Sequence, residues 1–277
     1  MPNILILAAK EIRDGYRNRW IILMTLIMAG LALVLSLLGS APVGSTKISA
    51  LAVTVVSLSS LSIFFIPLIA LLLSYDSIVG EDERGTLTLL LAHPVSRTEI
   101  ALGKFMGQFV LLSFAIIVGY GAAVLAVSLS GDGIFFEQQW LVFFKLLLSS
   151  ILLGAVFLSL GLLLSAGLKE RAAAAAAAIG VWLLFVVLFD MGLMGLLIST
   201  GESLVSDTAV KWIMLANPAD AYRMFNLTGS SDTALLSGMA GLRGDQGVSG
   251  SILIGLLLGW VCVPLIAACA VFQRRSL

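Results

Sequence analysis

Charge, cysteine and histidine are all scarce in this chain. Only 12% of its 277 residues are Asp, Glu, Lys or Arg, while 60% are hydrophobic, and the mean hydropathy is +1.09. That much apolar surface cannot be enclosed in one water-soluble core, so an ordinary soluble domain is excluded and lipid is the expected solvent. Sixteen basic residues balance sixteen acidic ones. The basic excess of a nucleic-acid binder is therefore missing, and no nucleic acid is expected as a partner. The two cysteines, Cys262 and Cys269, both lie in one apolar run and form neither a disulfide framework nor a metal-ligand spacing.

Catalytic signatures are absent too. The single histidine, His93, precedes Pro94 at a turn, and no HExxH or GxSxG occurs. The nearest approach to a phosphate-binding loop is GEDERGT, Gly80 to Thr86, which has the glycine spacing but no lysine, and three acids where an anion would sit. The chain is not expected to be an enzyme, to hydrolyse ATP itself, or to hold a cofactor or metal. Nor does it show the short polar–apolar alternation of a membrane β-barrel.

What is present is a series of long apolar runs, at 20–40, 50–74, 105–129, 141–167, 172–198 and 251–272. Each suffices for the roughly 20 helical residues that cross a bilayer, and backbone groups in lipid must bond within their own segment. The expected fold is all-α: one polytopic membrane domain over 1–277 with six spans. A basic start before an apolar run also fits a secretory leader, but the run is long for one and five more follow. Placing both termini, the 75–104 loop and the 168–171 loop on one side collects eleven of the sixteen Lys and Arg residues there. By the positive-inside rule that side is cytoplasmic.

Residues 4–19 read as an interfacial helix, with Ile4, Leu5, Ala8, Ile12 and Tyr16 on one arc and Lys10, Arg13, Asp14 and Arg17 opposite; Ile6 and Leu7 fall outside the apolar arc. The 75–104 loop reads as helix, break, helix. An apolar stretch from Thr86 to Ala92 is stopped by His93-Pro94. Ser96 and Glu99 then form a capping box leading into the third span. Glu81, Asp82, Glu83, Arg84 and Arg97 lie along this loop, which is either a docking element or a solvated hairpin. The segment 199–250 is too polar to span. Short helices packed on the outer face are expected there, in contact with an external partner or with none.

Asp190 is the one carboxylate adjoining a long apolar run. It sits either at the outer boundary of the fifth span or along a pathway. Met24 with Met28, Met191 with Met194, and Cys262 with Cys269 could pass copper(I), but methionine is equally core filler. Gly154, Gly161 and the 172–178 alanine tract supply small residues for close helix packing, and Pro67 and Pro264 would kink their spans. An ion-driven carrier would need deep ionisable residues and internal repeats. Asp190 is thin support for it, and a passive scaffold remains a third reading.

The N-terminal KEIRDGYRNR (Lys10–Arg19), the loop EDERGTLTLLL (Glu81–Leu91), PVSR (Pro94–Arg97) and LGK (Leu102–Lys104) together resemble the ABC-2 type permeases, over the whole length. The resemblance implies that Glu81, Asp82, Glu83, Arg84, Gly85, Thr86, Leu87, Pro94 and Arg97 belong to a coupling region docked in a groove of a separate ATPase, which carries the ATP and Mg. More narrowly, RDGYRNRW, YDSIVGEDERGTL and NPADAYR are similar to the branch of this family serving nitrous oxide reductase maturation. That implies a homodimer in a bacterial inner membrane, with two NosF-like ATPases and a periplasmic NosD-like protein. Asn217, Pro218, Asp220, Tyr222 and Arg223 would be the periplasmic contacts, with a copper chaperone and the reductase as indirect partners. Copper, a sulfur species, or mechanical work without cargo are all compatible.

Overall fold

A computed structural model describes residues 2–17, 25–27, 29–30, 33–34, 50–129, 137–200, 207–227 and 248–275. All the regular elements among them are helices. They are α1 (Pro2–Arg17), α2 (Ala50–Ser74), α3 (Val79–Glu83), α4 (Thr86–Leu91), α5 (Arg97–Leu129) and α6 (Glu137–Gly167). The rest are α7 (Arg171–Leu183), a π-helical turn (Leu184–Leu188), α8 (Phe189–Thr200), α9 (Asp207–Leu215), α10 (Pro218–Leu227) and α11 (Gly250–Arg274). Among the described residues, five helical stretches are long and apolar enough to cross a membrane: one through α2, then α5, α6, α7–α8 and α11. The expected span at 20–40, with Met24 and Met28, falls largely outside the described residues, as does the glycine-rich stretch 228–247. Pro67 and Pro264 lie inside helices that run on past them.

Helix α6 is the hub, packed against α2, α5, α10 and α11. Lipid tails are as apolar as leucine, so close approach and polar pairing must hold such a bundle together. Gly154 admits Leu112 and Ile66, and a Cβ there would fall 2.6 Å from Leu112 Cδ2. A Cβ on Gly161 would overlap Ser74 Oγ. A chain of buried hydroxyls crosses the bundle: Ser62 meets Tyr120, Tyr120 meets Ser150 at 2.9 Å, and Ser150 meets Tyr222 at 2.8 Å. It joins α2, α5, α6 and α10 through groups that have no water to turn to.

Helix α1 lies along α5, but on a face different from the expected arc. Leu7 and Ala8 are buried, while Leu5 and Ile6 are exposed. The reason is the partner surface. Gly103 and Gly107 leave α5 bare, so Ile4, Leu7, Ala8 and Glu11 pack into it; a Cβ on Gly103 would stand 2.5 Å from Leu7 Cβ. Leu5 and Ile6 are left exposed.

Candidate coupling site and acid cluster

The 75–104 loop is a rigid knuckle. Helix α3 begins against α6, where Ser165 Oγ accepts hydrogen bonds from the backbone N–H groups of Ile78 (2.9 Å) and Val79 (3.0 Å). Those donors have no partner of their own at a helix start, so a serine from a neighbouring span takes the place of an N-cap. Gly85 follows with φ 68, a left-handed conformation suited to glycine, and turns the chain into α4. Leu87 is fully buried under α4, while Leu89 is 67% exposed on its outer side. The knuckle ends at Pro94, and Ser96 N–H donates to Glu99 Oε2 at 2.9 Å while Glu99 N–H donates to Ser96 Oγ at 3.2 Å. The capping box expected from sequence is formed.

Most charged groups of this region are engaged within the chain. Lys104, itself buried, holds Glu11 and Glu81 at 2.8 Å each. It ties α1, α3 and α5 together through a cation that cannot stay buried unpaired. Asp82 accepts from Arg275 Nη2 at 2.6 Å, and Arg275 Nη1 donates to the end carbonyls of α6, Ser165 and Ala166, at 3.1 Å. Glu83 accepts from the Arg171 N–H at 2.6 Å. Asp76 holds Arg171 at 2.8 Å and, more loosely, Arg84 at 3.7 Å. Arg97 donates to the carbonyls of Phe272 and Gln273 at 3.1 Å, closing the C-terminal end of α11. Of the nine residues assigned to coupling, Glu81, Asp82 and Arg97 thus act as internal ties, and Leu87 is core. Glu83, Arg84, Gly85, Thr86 and Pro94 are exposed, and with Leu89 they form the surface offered outward. Leu89 could have been singled out from sequence by its place opposite Leu87.

At the other end of the bundle, Asn217, Pro218, Asp220 and Tyr222 turn inward and are buried. Sequence assigned these residues to a partner contact; here their side chains pack inside the chain, because α10 inserts among α2, α6 and α11. Arg223, half-buried, bridges Asp190 Oδ2 at 2.8 Å and Asp220 Oδ1 at 3.0 Å. Asp190 belongs to a paired cluster joining α8 to α10. Burial above all, then the Asp190 carboxylate, push Asp220 up to about 7, against the pull of Arg223.

Asn217 fixes this cluster to the α7–α8 stretch. The π turn widens the helix and disturbs its carbonyl ladder, and Asn217 Nδ2 donates to the Phe185 carbonyl within it at 2.8 Å. The same amide reaches Asp220 Oδ2 at 3.0 Å, and Asn217 Oδ1 accepts from the Ala219 N–H at the start of α10. Sequence gave no sign of the π turn. Among the described residues no three His, Cys, Asp or Glu side chains converge as a metal site would require. Cys262 and Cys269 are free thiols.

Comparison with known proteins gives a consistent picture. The family model described as ABC-2 family transporter protein matches residues 5–277. A relative from Stutzerimonas stutzeri, named Probable ABC transporter permease protein NosY, is 42% identical over 275 residues, covering 99% of each chain. A protein of the same name from Pseudomonas aeruginosa is 40% identical over 277 residues, covering all of both chains.

Proposed function

The chain belongs to the ABC-2 family of ABC transporter permeases, and from that premise we propose that it passes the work of a separate cytoplasmic ATPase across the inner membrane through the α3–α4 knuckle. The observation that carries this reading is the exposed Leu89, together with Thr86 and Pro94, on a knuckle braced by ion pairs to α1, α5, α7 and the C-terminus. An exposed leucine on a rigid support is what a partner's apolar groove can grip. In this reading two copies of the chain pair with two NosF-like ATPases, which hold the ATP and Mg. Both termini are cytoplasmic. A force on the knuckle travels along the spans to α9 and α10, and from there to a NosD-like periplasmic protein in the assembly of the copper sites of nitrous oxide reductase. Cargo movement and mechanical action on that partner both fit this path.

Leu89→Asp tests the reading without touching the core. The ATPase is expected to co-purify with the wild-type chain and to be lost from the variant, while the variant's melting temperature stays unchanged. Undiminished co-purification would count against the knuckle. One observation favours a second reading: the Asp190–Arg223–Asp220 cluster supplies the ionisable groups an ion-driven carrier needs. Uptake by liposomes holding this chain alone, driven by a proton gradient, would support that reading instead.

A further inference from the structure

A cavity of about 550 Å³ opens between α1, the end of α2, α3 and α5, beside the knuckle. Its lining has three characters. Leu72, Leu73 and Leu111 make an apolar wall. Four carboxylates (Glu11, Asp14, Asp76 and Glu81) and four cations (Arg17, Arg84, Lys104 and Arg171) make a charged part, and uncharged residues, Gln108 among them, complete it. The two signs balance, so a bare anion would meet four carboxylates and a bare cation three guanidiniums and an ammonium. The ligand that fits is neutral overall and carries both charges.

Two further atoms narrow the choice. Glu81 Oε2 and Gln108 Oε1 are buried with no hydrogen-bond partner, and both residues line the cavity; Gln108 is only 3% exposed. A buried acceptor left unpaired is costly, and the last torsions of Glu and Gln are soft enough to turn these oxygens toward a donor. They call for N–H groups. A primary ammonium has three, whereas a quaternary ammonium has none. The cavity also lies where the interfacial helix, with Leu5 and Ile6 exposed, meets the ends of two spans.

We propose that this cavity binds the headgroup of an ethanolamine phospholipid from the inner leaflet. The ammonium donates to Glu81 and Gln108, the phosphate meets Arg17, Arg84 and Arg171, and the start of the acyl chains lies on Leu72, Leu73 and Leu111. One bound lipid then joins α1 to the knuckle.

The full chain, purified in detergent and stripped of lipid, tests this with native mass spectrometry as the readout. The probes are dioleoyl phosphatidylethanolamine, phosphatidylcholine and phosphatidylglycerol, together with soluble O-phosphorylethanolamine. One ethanolamine lipid is expected per chain, held about tenfold more tightly than the choline lipid, the worth of roughly one net hydrogen bond. Gln108→Leu should bring the two lipids close to parity. Equal retention of both lipids by the wild-type chain, or a preference for the glycerol lipid, overturns the proposal whatever the variant does. If the soluble headgroup binds as tightly as the lipid, the site serves a small solute and the lipid assignment falls.

Discussion

Among the described residues outside the spans, Asp220 carries the clearest pH signature. Its carboxyl is pushed up to about 7 in the folded chain, whereas an unfolded chain would ionise it near 4. Between those values the folded state holds a proton that the unfolded state has released. Stability therefore falls as pH rises from about 4 to 7 and levels off above. The three-unit shift bounds the effect at about 4 kcal/mol, and the charge shared with Arg223 and Asp190 makes a smaller figure the better expectation. Thermal melts of the detergent-solubilised chain should show a transition that drops between pH 5 and pH 8, and Asp220→Asn should flatten that slope. A slope unchanged in the variant would place the titrating group elsewhere. The pairing of Asp190 with Arg223 could not be read from the chain, because 33 positions separate them and only the insertion of α10 brings them together.

Where local chemistry decides an element, the sequence was a sufficient guide. Ser96 with Glu99 announced the start of α5, and His93-Pro94 the end of α4, because caps and proline act within a few residues. Where a neighbour decides, it was not. The buried face of α1 is set by the bare glycines of α5, so Leu7 is buried although the helical arc alone left it out. Gly103→Ala should force α1 away from α5, with a Cβ 2.5 Å from Leu7 Cβ and 3.2 Å from the Ile4 carbonyl. Cysteine-accessibility labelling at Ala8 is the measure: a position protected in the parent chain should become reactive. The π turn is a second case, since nothing in LFVVL marks it. Asn217→Leu keeps the branched heavy-atom outline but removes the donor to the Phe185 carbonyl, and the loss should be about 1–3 kcal/mol. A loss confined to α10, seen as faster amide exchange there with α6 unchanged, would identify Asn217 as the tie between α10 and the α7–α8 stretch.

Across the whole molecule, two polar tie points stand at opposite ends of an apolar bundle. Lys104, Arg275 and Arg171 lock the knuckle to α1, α5, α6 and α7 at one end, and Arg223 with Asn217 locks α10 to α8 and the π turn at the other. The hydroxyl chain from Ser62 to Tyr222 lies between them. Composition foretold apolar helices long enough to cross a membrane, and the placement of eleven of sixteen basic residues sets the expectation that the knuckle end faces the cytoplasm. It could not foretell that loop charges would be spent on internal ties, because pairing depends on which spans meet. The orientation has a direct test in a chain whose Cys262 and Cys269 are replaced by serine. A single cysteine at Thr88, exposed on α4, should react with an impermeant maleimide only after cells are opened. One at Trp212, 63% exposed on α9, should react in cells whose outer membrane alone is breached. The reverse pattern would put the knuckle outside, beyond the reach of any cytoplasmic ATPase, and the coupling reading would fall with it.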